Sequence, residues 1–211
     1  MDTHQIIKVC GMRDADNIRA VEQLGVDYMG FIFWPKSKRY VSEPPVYLPT
    51  RCKRVGVFVN ALPDDILRLV NAYLLDAVQL HGQESPHYIE CLRKKLLQCG
   101  DVPPLLIKAF NIATPDDLDL TREYDTLVDY FLFDTKGKQA GGNGTQFDWS
   151  VLEHYHGQTP FFLSGGIGPD DAERILAFHH PQFRGIDLNS RFETAPGLKD
   201  INKLRNFLNY E

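Results

Sequence analysis

Short apolar runs rich in β-branched and aromatic residues recur along the chain. They read IIKVC from Ile6, YMGFIF from Tyr28, RVGVFV from Arg54, AVQL from Ala77, LLIKAF from Leu105, YFLFD from Tyr130, FFLS from Phe161 and GIDL from Gly185. Each has the length of a strand buried on both faces. Amphipathic segments lie between them and open with helix-start chemistry: Ser85-Pro86 and Thr114-Pro115 set a capping residue before a proline at the first helical position. Three starts read Pro-Asp-Asp, at Pro63, Pro115 and Pro169, where the acids complement the positive helix end. The recurrence fits an internal repeat of two strand–helix units, and equally the similarity that good helix starts share. Strand followed by helix, repeated, predicts parallel strands. Eight such units at intervals of roughly 25 residues predict a (β/α)₈ TIM barrel of the α/β class rather than an open doubly wound sheet. One unit is irregular, because SEPPVYLP between the second and third runs carries three prolines and leaves any helix there short or distorted.

Composition narrows the picture. At 211 residues the chain suits one barrel, and no linker or low-complexity stretch divides it, so residues 1–211 are expected to form one catalytic domain. A net charge of −5, with no long run of like charges, gives no electrostatic support for nucleic-acid binding. Cys10, Cys52, Cys91 and Cys99 form no C-x-x-C pair, which suits reduced thiols in a cytoplasmic protein. The opening MDTHQIIKVCGMRDA lacks the layout of a signal peptide, and no segment is apolar enough for a membrane span. The histidine pairs His154/His156 and His179/His180 match no metal motif, and no metal is expected.

In a barrel of this kind the chemistry sits at the C-terminal ends of the strands. Cys10 ends the first run, Asp134 the sixth and Ser164 the seventh; Asp187 lies in the eighth, and Asn60 and His81 follow the third and fourth. Alternation puts Lys8 and Cys10 on the inner face of the first strand and Ile7 and Val9 on the helix side. A buried lysine needs an anion, and an ammonium beside Cys10 would favour its thiolate. Taken alone, Cys10 is more simply a packed thiol. Asp134, after Phe131-Leu132-Phe133, is a cap, a salt-bridge partner or a carboxyl that its surroundings hold protonated. The glycine-rich stretch behind it, with Gly141, Gly142 and Gly144, has the length of a functional loop. Ser164-Gly165-Gly166 runs into a helix start, and Asn189-Ser190 follows the last strand; these are the two loops in which barrels commonly hold phosphate. Arg39 offers a planar fork for a carboxylate, whereas Lys36 and Lys38 read as surface charge.

Together these segments resemble the phosphoribosylanthranilate isomerase family of tryptophan biosynthesis. The likeness is carried in order by KVCG, GFIF, SKRYV, VGVFVN, VQLHG, FDTKGKQAGGNGTQFDW, SGGI and GIDLNSRFETAPGLKD. It implies a cofactor-free Amadori rearrangement of N-(5-phospho-β-D-ribosyl)anthranilate to 1-(2-carboxyphenylamino)-1-deoxy-D-ribulose 5-phosphate. By the resemblance Asp134 is the general acid and Cys10 the general base. Lys8, Arg39, His81 and Asp187 would bind substrate, with Arg39 on the anthranilate carboxylate, and Gly165, Gly166, Asn189 and Ser190 would take the phosphate. The implied partner is a small phosphosugar, with no nucleic acid, membrane or obligatory protein. Two positions depart from the family's usual pattern: Asn143, where serine or threonine is common, and Arg191, where a small residue is common. Arg191 could touch phosphate or point to solvent. The rival readings are another phosphosugar isomerase or epimerase on the same barrel, and a non-catalytic barrel that binds a phosphorylated metabolite. Cys10 paired with Asp134 argues against both.

Overall fold

A computed structural model describes residues 5–44, 46–98, 102–134 and 148–209. Eight strands close into a barrel in sequence order: β1 (Ile6–Cys10), β2 (Tyr28–Ile32), β3 (Lys53–Phe58), β4 (Ala77–Leu80), β5 (Leu105–Asn111), β6 (Tyr130–Asp134), β7 (Phe161–Ser164) and β8 (Phe183–Leu188). Every neighbouring pair is parallel, and β8 returns to β1 with Lys8 opposite Asp187. The eight apolar runs therefore mark the eight strands to within two residues at each end.

Strand alternation sorts side chains into two cores. Tyr28, Val55, Ala77, Ile107, Leu132 and Phe162 fill the barrel interior. The outer cluster, which contains Val9, Met29, Phe31, Val78, Leu80, Leu106, Phe131 and Phe133, packs under the helices. Ile7 and Val9 lie in that outer layer, as the alternation of IIKVC requires. Each fully buried large side chain contributes roughly 1.5–3 kcal/mol of transfer free energy, so a slip of one residue in any strand would exchange its two cores.

The covering layer is less regular than the strands. Helices α1 (Ala15–Glu22), α2 (Pro63–Tyr73), α3 (Pro86–Leu96), α4 (Ala172–Leu176) and α5 (Ile201–Leu208) are joined by 3₁₀ segments at Pro115–Tyr124, Trp149–His154 and Pro169–Asp171. Among the described residues no helix lies between β2 and β3, in keeping with the prolines there. All three Pro-Asp-Asp sites begin a helical segment. At two of them the third residue closes the turn: Asp117 accepts from the Thr114 N–H at 2.8 Å, and Asp171 from the Gly168 N–H at 2.8 Å. Where the helices are short, aromatic bulk covers the barrel instead. Phe133, Tyr155 and Phe161 form a cluster with mutual centroid separations of 4.8–5.7 Å, and Phe178 packs against Phe161. After β8 the chain forms a small hairpin, β9 (Glu193–Ala195) against β10 (Leu198–Lys199), which the hydrophobic pattern did not foretell. No helix among the described residues is long and apolar enough to cross a membrane.

Candidate active site

At the C-terminal ends of the strands a cavity of about 200 Å³ is lined by Cys10, Arg39, Gln79, His81, Asp134, Ser164, Gly165, Gly166, Asp187, Asn189 and Ser190. A larger, more open cleft of about 930 Å³ lies at the opposite end, among Tyr28, Lys53 and Tyr130, where strands begin. The larger cleft has the Cys52 thiol and the acids Glu22, Asp27 and Asp76 among its lining, but only the smaller one lies where the strands end and joins Cys10 and Asp134 to the consecutive pair Gly165-Gly166.

Cys10 closes β1 and is 3 % exposed. Its register partner on β2 is Gly30, where a Cβ would stand 2.7 Å from the Cys10 Sγ; the glycine leaves room for the thiol. Lys8 lies one inward position below. It does not line the cavity: its Nζ donates to Asp187 Oδ1 at 2.8 Å, and it lies beneath the Cys10 sulfur. Burial works against the Lys8 ammonium, but Asp187 and Cys10 together outweigh it and hold its pKa above the ordinary lysine value. The expected thiolate is not the resting form. Burial pushes the Cys10 thiol up, and Asp187 adds to this, so the opposing pull of Lys8 and Lys199 does not compensate. The anion that a buried lysine needs is Asp187, and its charge opposes the effect of Lys8 at the sulfur.

Asp134 closes β6 and is also buried. The His81 Nε2 stands 3.8 Å from Asp134 Oδ2, and the Gln79 side-chain amide meets His81 Nδ1 at 3.1 Å. His81, just past β4, thus faces the acid at the end of β6 with β5 between them, and is held by a residue two positions earlier in β4. Gln79 was not singled out by the sequence reading; its signal was a lone amide in the otherwise apolar run AVQL.

The phosphate-type turn is formed. Gly165 and Gly166 have φ of 94° and 73°, a pair of positive values that side chains other than glycine rarely adopt. Ser164 Oγ donates to Asp187 Oδ2 at 3.5 Å. Asn189 and Ser190 face the same end of the cavity. Arg191 is exposed, with its guanidinium lying over Gly168 in the neighbouring loop.

Arg39 is anchored by a residue that the pattern missed. Glu193 in β9 accepts from its Nε at 2.8 Å and its Nη2 at 2.6 Å, while Nη1 makes no hydrogen bond among the described residues. Glu193 also accepts from Lys199 Nζ at 2.7 Å, and the same ammonium donates to Asn189 Oδ1 at 2.8 Å. Burial alone would raise the Glu193 carboxyl, but the hydrogen bonds from Arg39 and Lys199 hold it below the usual range. Burial lowers the Lys199 ammonium despite Glu193. The C-terminal hairpin therefore ties the arginine to the loop after β8.

Gly141, Gly142, Gly144, Asn143 and Cys99 lie outside the described residues; Cys10, Cys52 and Cys91 are free thiols. Among the described residues no group of three or more His, Cys, Asp or Glu converges on a point that could hold a metal ion.

Residues 7–210 match the family described as N-(5'-phosphoribosyl)anthranilate (PRA) isomerase. The chain is 51 % identical over 209 residues to the N-(5'-phosphoribosyl)anthranilate isomerase of Parabacteroides distasonis, covering 96 % of this chain and 91 % of that one. It is 50 % identical to the enzyme of the same name from Phocaeicola vulgatus, covering 97 % and 96 %. Among solved structures, phosphoribosyl anthranilate isomerase from Thermotoga maritima superposes with a TM-score of 0.80 at 31 % identity, covering 97 % of both chains. A phosphoribosyl anthranilate isomerase in complex with reduced 1-(o-carboxyphenylamino)-1-deoxyribulose 5-phosphate superposes with a TM-score of 0.77 at 30 % identity, covering 97 % of this chain and 96 % of that one. With a closed barrel, a site at its C-terminal end and relatives matched over nearly their whole length, the chain belongs to the phosphoribosylanthranilate isomerase family, whose members are aldose–ketose isomerases.

Proposed function

We propose that residues 1–211 form one catalytic domain that carries out the Amadori rearrangement of N-(5-phospho-β-D-ribosyl)anthranilate to 1-(2-carboxyphenylamino)-1-deoxy-D-ribulose 5-phosphate, in the cytoplasm, as a step of tryptophan biosynthesis. The observation that carries this reading is the placement of Cys10 and Asp134 in one cavity beside a glycine turn suited to phosphate.

The substrate's two ends find different chemistry. Gly165, Gly166, Asn189 and Ser190 receive the 5-phosphate, where backbone N–H groups supply most of the grip. The free Nη1 edge of Arg39 receives the anthranilate carboxylate. The sugar then spans the space between Asp134 and Cys10.

Asp134 gives its proton to the furanose ring oxygen. The C1′–O bond breaks as the nitrogen lone pair forms the C1′=N bond, and the product of this step is a cationic Schiff base. That cation acidifies the C2′ hydrogen, and the same positive charge beside Cys10 favours its thiolate. A thiol whose resting pKa is raised thereby loses its proton to solvent more readily while the cation is beside it, and the thiolate so formed is the base at the step that needs one. Cys10 removes the C2′ proton, the enolamine forms, and reprotonation at C1′ leaves the C2′ ketone. Lys8 holds the sulfur from below, and Asp187 keeps Lys8 charged. Acid and base each contribute about 10² to 10⁴ in rate.

The reading is tested by running the reaction in ²H₂O and examining the product by NMR. The expected product carries one solvent deuterium at C1′ and a ketone at C2′. Recovered substrate, or a sugar epimer without the ketone, would replace this reaction with another phosphosugar chemistry.

A further inference from the structure

Gln79 occupies an unusual place. It is 1 % exposed, it points into the barrel interior one inward position above Ala77, and it lines the cavity. Its neighbours in register, Val57 and Ile107, are apolar and satisfy no polar group. One end of its amide is used: Nε2 meets His81 Nδ1 at 3.1 Å. The other end, Oε1, is buried and makes no hydrogen bond among the described residues. A buried carbonyl oxygen left without a donor is costly, and native structures retain one where a partner arrives later.

The geometry around His81 gives the amide its direction. His81 Nε2 faces Asp134 Oδ2 at 3.8 Å; with Oδ2 as the carbonyl oxygen of the acid and the transferable proton on Oδ1, the ring nitrogen facing it carries the hydrogen and Nδ1 accepts. An accepting Nδ1 needs the NH₂ of Gln79, which leaves Oε1 as the end aimed at the cavity. One side chain therefore touches both the orientation of the acid's neighbour and the space where the sugar must lie.

We propose that Gln79 is a further substrate-binding and positioning residue of the site: its Oε1 accepts a hydrogen bond from a ribose hydroxyl of the substrate, and its NH₂ fixes His81 as the Nε2–H tautomer directed at Asp134. The inference rests on the isomerase reading for the identity of the hydroxyl-bearing ligand. The hydrogen bond to His81 is independent of that identity.

Two substitutions separate the roles. Gln79→Met keeps the length and removes both polar ends. Gln79→Glu keeps an acceptor for the hydroxyl but, when ionised, turns Nδ1 of His81 into the donor. In steady-state assays with N-(5-phosphoribosyl)anthranilate, Gln79→Met is expected to lose about 10- to 100-fold in kcat/KM. Gln79→Glu is expected to hold KM near the wild-type value and to lower kcat, because His81 then presents its bare nitrogen to Asp134. Nitrogen-15 NMR of the His81 ring supplies a readout that needs no substrate. The wild-type protein should show the Nε2–H tautomer, Gln79→Glu the Nδ1–H tautomer, and Gln79→Met a mixture. A folded Gln79→Met variant with wild-type kcat/KM overturns the hydroxyl contact, and an Nδ1–H tautomer in the wild-type protein overturns the positioning role. Should the wild-type protein leave this substrate unchanged, the isomerase reading and the hydroxyl contact fall together, and the ring spectra alone decide the bond to His81.

Discussion

Two strands of this barrel carry a buried lysine in the middle of an apolar run: Lys8 in IIKVC and Lys108 in LLIKAF. Both are paired with a carboxylate, Lys8 with Asp187 at 2.8 Å and Lys108 with Glu84 at 3.2 Å. The parity of the position separates them. Lys8 points into the barrel beneath Cys10, whereas Ile107 and Ala109 take the inner face of β5 and Lys108 points outward. There it donates to the Gly82 and Ala109 carbonyls and lies over the Phe110 ring, bracing the turn after β4. Glu84 completes that brace by accepting from the Asn60 and Gly82 N–H groups. Their protonation differs as well. Burial dominates at Lys108 and lowers its pKa, while at Lys8 the anionic neighbours win and raise it. The same residue in the same kind of run thus supports the reacting thiol on one strand and a loop on the other.

The comparison is tested most severely by removing each lysine. Lys8→Met is expected to lower kcat by about 10² or more, because the thiolate formed during turnover loses its nearest cation. Lys108→Met is expected to leave kcat within a few-fold. Equal losses in the two variants would break the distinction. Stability should respond alike in both. Each single substitution strands a buried carboxylate and should cost about 3–5 kcal/mol in urea unfolding. The double variant Lys8→Met/Asp187→Leu should regain most of that stability without regaining activity. Recovery of kcat together with stability would make Lys8 a purely structural residue.

A smaller effect should be visible in the thiol itself. Since burial raises the Cys10 pKa in the resting protein, less thiolate is present at neutral pH than for a free cysteine, and more forms as pH rises. The midpoint of the iodoacetamide rate against pH, followed at Cys10 by mass spectrometry, should lie above about 8.5. Lys8→Met should move it higher still, and Lys108→Met should leave it in place. A wild-type midpoint below the free-cysteine value would mean that Lys8 outweighs burial.

The strands were legible because burial on both faces leaves a continuous apolar run, and parity could then be counted within each run. That counting placed Lys8 and Cys10 inward, and the barrel rule brought Cys10, Asp134 and the Ser164–Gly166 turn to one end. What the sequence withheld depends on pairing between distant segments. Nothing local to ETAPGLKD says that Glu193 will meet Arg39, which is 154 positions away. The Asp187 partner of Lys8, 179 positions away, is likewise a product of barrel closure, and it adds to burial in raising the thiol's pKa. The 3₁₀ segment at Pro115–Tyr124 was readable as a helix start but not as a helix type, since its capping chemistry is that of any helical turn. Gln79 was hidden by its own setting, because a single amide in AVQL changes neither the strand's periodicity nor its apolar character.

The central claim is that Cys10 and Asp134 act as base and acid on phosphoribosylanthranilate. It is tested most directly by following the loss of substrate fluorescence with wild-type protein, Cys10→Ala and Asp134→Asn, without added metal or nucleotide. The account predicts that the wild-type protein speeds this loss far beyond spontaneous decay, and that each variant lowers kcat by about 10² to 10⁴ with a modest change in KM. Near-wild-type kcat in both variants, or no acceleration by the wild-type protein, would contradict it.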